Sequence, residues 1–154
     1  MQTRIANRQD EKEIRALTEI YYQKDGNSLD IEGKDNDLRN IEGNYIGKNG
    51  IFLVTEGGDN NINGGSGKVL AYLAARQKPQ HSKDKKERPT LVVERLLVSE
   101  ELPTDKADEL TVKLMDITLN HAYQADFAGV EINESIYKWI KPGHAAFMQR
   151  DRNS

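Results

Sequence analysis

Two places in the 154-residue chain bring together residue types that could do chemistry. The first is Glu94, the acid inside the apolar run "LVVERLLV" (Leu91–Val98). In a regular strand, alternate side chains share a face. The pleat therefore predicts Glu94 beside Leu96 and Val98, opposite Arg95 and Leu97. A carboxyl among such apolar neighbours has its pKa raised, which suits a general base near neutral pH. The alternative is a carboxylate paired with an arginine across the sheet. The second place is the junction after this run, "SEELPTDKADEL" (Ser99–Leu110), where a strand turns into a helix. A helix start presents free N–H groups and the positive end of a dipole, a ready seat for a phosphate. Such loops usually carry glycine so that the backbone can approach the anion. This one has none.

Charge weighs against an anion there. The dipole and free N–H groups favour one by roughly 0.3–1 kcal/mol. Glu100, Glu101, Asp105, Asp108 and Glu109 face it, offset by Lys106. At about 8 Å in water, each like-charge pair costs on the order of 0.5 kcal/mol. Two readings are open. Thr104 or Asp105 caps the helix and its own acids satisfy the dipole, so the junction binds itself. Alternatively, Thr104 and Lys106 supply phosphate contacts from their side chains.

Other groups have bland readings. "GGSGK" (Gly64–Lys68) resembles a phosphate loop faintly, but Val69 stands where a magnesium-binding serine or threonine belongs. His81, His121 and His144 share no metal-ligand spacing, and no metal site is expected. The stretch "KPQHSKDKKERP" is locally basic; it reads as a solvated loop, or as a contact for a coenzyme 3′-phosphate or an acidic partner. The absence of cysteine excludes disulfides and thiolate nucleophiles and is consistent with a reducing cytoplasm. A net charge of −3 gives no general attraction to nucleic acid or to an anionic membrane. No stretch approaches the roughly 18 apolar residues of a membrane span, and "MQTRIANRQDEKEIRAL" has no signal-peptide core. A cytoplasmic single domain spanning 1–154 is expected, and a homodimer is compatible with it.

The elements that must position these residues follow from periodicity. Thr3 to Asn7 is a short strand. Asp10 stands three residues before Glu13, a capping-box spacing. With Ile14, Leu17 and Tyr21 on one face, it predicts a helix from about Gln9 to Lys24. Leu38, Ile41 and Tyr45 predict a short second helix ending near Gly43. Gly50–Glu56, Lys68–Arg76 and Thr90–Ser99 are strands joined by hairpin loops. Ala107, Leu110, Leu114, Ile117 and His121 mark one face of a long helix from about Asp105 to Gln124. "FAGVEIN" is a fifth strand, "ESIYKWIK" a short helix and "HAAFMQR" a last strand. Hairpins make an antiparallel half, and the helical crossover makes the fourth and fifth strands parallel. The fold class is α/β: a mixed, mostly antiparallel sheet of about six strands with flanking helices.

That order resembles the GNAT superfamily of N-acetyltransferases across almost the whole chain. "LVVERLLV" resembles the family's fourth strand, "FMQRD" its closing strand, and "SIYKW" the short helix that often carries a tyrosine near the acyl thioester. The resemblance implies acetyl-CoA as cosubstrate, held where the fourth and fifth strands part. It implies that the pantetheine pairs with the backbone of Leu96, Leu97 and Val98, and that the pyrophosphate sits at Thr104 and Lys106. It implies Glu94 as general base and Tyr137 as the acid for the leaving thiolate. Tyr137 packing in the core with its hydroxyl at the surface is the other reading. The family's pyrophosphate motif has an arginine or glutamine followed by spaced glycines. Pro103, Thr104, Lys106 and Asp108 stand in those places. Two functions therefore stay open: an N-acetyltransferase acting on a small-molecule or protein amine, and a non-catalytic GNAT-like domain, a pseudoenzyme, that binds a ligand or a protein.

Overall fold

The computed structural model describes residues 1–57, 68–79 and 88–133. Five strands form one sheet in the order β1-β2-β3-β4-β5: β1 (Gln2–Ile5), β2 (Ile51–Glu56), β3 (Val69–Gln77), β4 (Thr90–Val98) and β5 (Gly129–Ile132). The first four pair antiparallel, whereas β4 and β5 run parallel. The expected sixth strand, the "SIYKW" helix with Tyr137, His81, His144 and the "GGSGK" loop up to Gly67 lie outside the described residues.

Both faces of the sheet are buried. Ile51, Leu53, Leu73 and Val93 pack with Leu114 and Met115 of α3 (Thr104–Gln124). Phe52, Val54 and Tyr72 pack with Ile14 and Leu17 of α1 (Glu11–Lys24), and with Ile41 of α2 (Ile41–Asn44). The side-chain period of two thus sends neighbouring residues of β2 into separate cores. Gly50 is required before β2, because a Cβ there would meet the Ala75 carbonyl oxygen at 2.1 Å. Among the described residues, no helix is long and apolar enough to cross a membrane.

The start of α1 differs from the sequence expectation. The capping box lies one turn earlier: the Asn7 N–H donates to Asp10 Oδ2 at 2.8 Å, and Asn7 Oδ1 accepts from the Gln9 N–H at 2.9 Å. Asp10 makes no side-chain cap to α1. Its two oxygens are held by Arg4, each at 2.8 Å, which ties β1 to the helix. Burial opposes the Asp10 charge, yet the Arg4 and Asn7 hydrogen bonds hold its pKa below the usual carboxylate range.

Two irregularities of β4 create the region of interest. First, Ala74 pairs with Arg95 and Ala75 with Val93, so Glu94 is the extra residue of a β-bulge. The bulge resets the alternation of faces. Leu91 and Val93 lie on the α3 side before it, and Leu96 and Val98 lie on that side after it. The expectation that Glu94 shares a face with Leu96 and Val98 is therefore wrong; it projects with Arg95 and Leu97 toward α1. Second, β5 accompanies β4 only from Thr90 to Val93. The last rung is the Asn133 N–H donating to the Val93 carbonyl at 3.0 Å. Past it, no described strand covers the outer edge of β4. The two strands part at the bulge.

Candidate active site

Glu94 stands where β5 leaves β4. Its Oε2 accepts from Asn133 Nδ2 at 3.1 Å, and its Oε1 lies 3.8 Å from Arg76 Nε on β3. The expected apolar surroundings are replaced by a polar neighbourhood, and the cross-sheet arginine pair is present in a loose form. The Arg76 guanidinium lies over the Tyr45 ring, 5.3 Å from its centroid. These groups line a cavity of about 350 Å³ on the α1 side of the sheet, together with Tyr22, Lys34 and Tyr72.

The cavity wall is an ion cluster that the sequence did not reveal. Arg95, next to the bulge, donates from Nε to Asp37 Oδ2 at 2.7 Å. Its Nη2 donates to Asp37 Oδ1 at 2.8 Å and to Asp35 Oδ1 at 2.9 Å. The Tyr22 hydroxyl donates to Asp35 Oδ1 at 2.7 Å, the Asp30 N–H donates to Asp35 Oδ2 at 2.9 Å, and the Tyr45 hydroxyl bonds to Asp37. Asp35 is 1% exposed, so its charge persists only because these donors replace water. Burial pushes the Asp35 pKa up, but Tyr22, Asp30 and Arg95 together hold it below the usual range. Burial likewise opposes the Arg95 charge, and the two aspartates raise its pKa all the same. Burial pushes the Tyr72 hydroxyl up to about 12, and its oxygen lies 2.7 Å from Thr18 Oγ1. The segment containing Asp35 and Asp37, respectively 60 and 58 positions away from Arg95 in sequence, is thereby fixed over the sheet.

The strand-to-helix junction is built differently. Thr104, Asp105 and Lys106 are exposed. Thr104 is the first residue of α3 rather than its cap; Pro103 takes that position and supplies no side-chain cap. Neither Thr104 nor Asp105 is the cap residue, while Asp105 stands in the first turn, where its charge complements the helix dipole. Its acids are also partly neutralised from elsewhere: Lys24 pairs with Glu100, and Lys68 with Glu101 at 2.6 Å. Lys106 Nζ lies 3.6 Å from Glu109. Counting Lys24 and Lys68, the net local charge falls from four negative to two. Leu96, Leu97 and Val98 pair with Leu73, Tyr72 and Ala71 on one side. Their other edge carries no described strand.

Among the described residues, no group of three or more His, Cys, Asp or Glu could hold a metal ion. His121 is a boundary residue of α3. Its Nε2 is buried without a hydrogen-bond partner, its ring lies 6.4 Å from that of Phe127, and burial lowers its pKa.

No family model matches the sequence, and no curated protein matches it. Solved structures do match. A tetramutant of the BH1408 protein from Bacillus halodurans is 18% identical with a TM-score of 0.66, over 100% of this chain and 96% of that one. A GNAT-family acetyltransferase from Staphylococcus aureus Mu50 is 17% identical with a TM-score of 0.64, over 92% and 87% of the two chains. A chain of the NatC complex bound to Gag peptide and CoA is 11% identical with a TM-score of 0.59, over 96% and 79%. With β4 and β5 parallel, parted at a bulge and followed or crossed over by α3, the chain has the fold of the GNAT acetyltransferases.

Proposed function

We propose that the chain is an N-acetyltransferase that moves an acetyl group from acetyl-CoA to an amine held in the cavity beside Glu94. One observation carries the reading: the bulge turns the Glu94 carboxylate into the α1-side cavity at the point where β5 leaves β4. An amine there and a thioester entering between the strands would meet within reach of one carboxylate. Glu94 takes a proton from the ammonium, and the freed nitrogen attacks the thioester carbonyl carbon. A C–N bond forms, the nitrogen releases its second proton to solvent as the C–S bond breaks, and the coenzyme leaves as a thiolate that takes up a proton. Tyr137 is the proposed source of that proton. The rigid Arg95 cluster holds the acceptor's wall in place, so that little reorganisation accompanies the transfer.

The β4 edge from Leu96 to Val98, which no described strand accompanies, would pair with the pantetheine. The pyrophosphate would rest at the uncapped start of α3, with Thr104 and Lys106 contributing from their side chains. The lysine partners of Glu100 and Glu101 weaken the repulsion that the bare sequence implies. CoA is present in the NatC structure that this chain resembles. A second reading, a GNAT-like binding module without catalysis, draws on the glycine-free run from Pro103 to Asp108.

A thermal melt with acetyl-CoA separates the two. Ligand at 100 times its Kd stabilises the folded chain by about 2.7 kcal/mol, a shift of several degrees. A shift that is weakened in Lys106→Glu supports the side-chain phosphate seat. No shift at millimolar acetyl-CoA leaves the binding module as the better reading.

A further inference from the structure

The charges around the cavity differ in how fully they are engaged. Arg95, Asp35 and Asp37 saturate one another, with Tyr22 and Tyr45 completing their shells. What remains is Glu94 and two cations. Arg76 approaches Glu94 at 3.8 Å, too far for a hydrogen bond. Lys34, exposed at the mouth, lies over the Tyr22 ring at 4.6 Å and pairs with no carboxylate among the described residues. The cavity thus has one carboxylate with capacity for an ammonium, and two cations with capacity for an anion.

Resting on the acetyltransferase reading, we propose that the acceptor is a compact amine that carries its own anionic group. Its ammonium meets Glu94 and its anion meets Lys34 and Arg76. A carrier of several amines and no anion would set positive charge against both cations. A neutral amide or alcohol would leave Lys34 without an anion and Arg76 with only its loose Glu94 pair, which is how a polar site rejects an analogue lacking the matching group. At about 350 Å³ the cavity has room for a molecule of amino-acid size. The transfer itself is the one described above: the acceptor nitrogen gains the acetyl group, loses one proton to Glu94 and a second to solvent, and the thiol is released.

The test is acetyl-CoA-dependent thiol release with matched probes. These are a set of L-α-amino acids against their amides, 2-aminoethyl phosphate against ethanolamine, and spermidine. The expected result is at least a tenfold higher kcat/KM for the anionic member of one pair. The carboxylate pair would identify amino acids, and the phosphate pair aminoalkyl phosphates. Lys34→Glu should raise KM for that probe about tenfold while kcat changes little, and should erase the preference over the uncharged member. Preferred turnover of spermidine or of the uncharged members overturns the proposal. So does absence of turnover of every anionic probe by protein that acetyl-CoA stabilises. A chain that acetyl-CoA fails to stabilise would instead defeat the acetyltransferase reading itself.

Discussion

The two ends of β4 are built on opposite plans. At the bulge, Arg95 is bound by two aspartates that are themselves held by tyrosine hydroxyls and a backbone N–H. At the other end, where the strand runs into α3, Thr104 to Lys106 are exposed, the cap residue Pro103 makes no side-chain bond, and Glu100 and Glu101 reach out to lysines near the surface. The first plan fixes geometry; the second leaves the helix start without a side-chain bond from its cap residue. The proposed acetyl transfer would use both: a wall that does not move around the reacting atoms, and accessible polar groups for a long cosubstrate. The contrast also assigns different consequences to damage at each end. Loss at the bulge should be felt in folding and rate, and loss at the junction in cosubstrate affinity.

The largest expected effect is on stability. Arg95→Leu leaves Asp35 and Asp37 buried without their cation, and breaking such a cluster typically costs 3–5 kcal/mol. Urea unfolding should show this; a loss below about 1 kcal/mol would mean that the cluster is not holding the loop. Next is Glu94→Gln. It keeps the shape and the contact to Asn133 and should reduce acetyl transfer by about 10²–10⁴-fold, with the melting temperature nearly unchanged. A variant that retains full rate removes Glu94 as the base.

Smaller effects come from pH. Asp35 has its folded pKa below its unfolded value, so its contribution is fully present above about pH 4. That contribution is lost as pH falls through the folded pKa. His121 also has a lowered pKa, from burial. Its neutral form is favoured in the folded chain, so stability falls as pH drops below about 6.5. Replacing it with leucine should flatten the stability profile between pH 5 and 7; an equally steep profile in the variant would assign the dependence to other groups. The smallest effect belongs to the junction. Lys106→Glu should weaken CoA binding by a few-fold, the scale of one exposed charge near a helix end, with the melting temperature of the free protein unchanged.

Much of the architecture was legible in the sequence, because apolar periodicity and loop composition report locally. "LVVERLLV" and the Leu110–Leu114–Ile117 stripe gave β4 and α3, and the helical crossover implied a parallel β4 and β5 pair. The face of Glu94 was misread because strict alternation assumes an unbroken strand, and the bulge inserts one residue that hydrophobicity does not register. The Arg95 cluster was not found because its partners lie about 60 positions away, in a loop whose "KDND" reads only as polar. The signal available was an arginine within an apolar strand, which calls for buried acids as partners. The capping box was displaced for a related reason: Arg4 on β1 occupies the Asp10 carboxylate, so the cap falls to Asn7. At the junction, Thr104 and Asp105 looked like caps by type, but the proline before them takes the cap position.

Amide hydrogen exchange with and without CoA tests the account most directly. The amides of Leu96 to Val98 that face the parted edge, and those of Thr104 to Lys106 at the start of α3, should slow when CoA is added, while β1 and β2 stay as they were. Unchanged exchange along β4 and the first turn of α3, at CoA concentrations that saturate any binding, would contradict it.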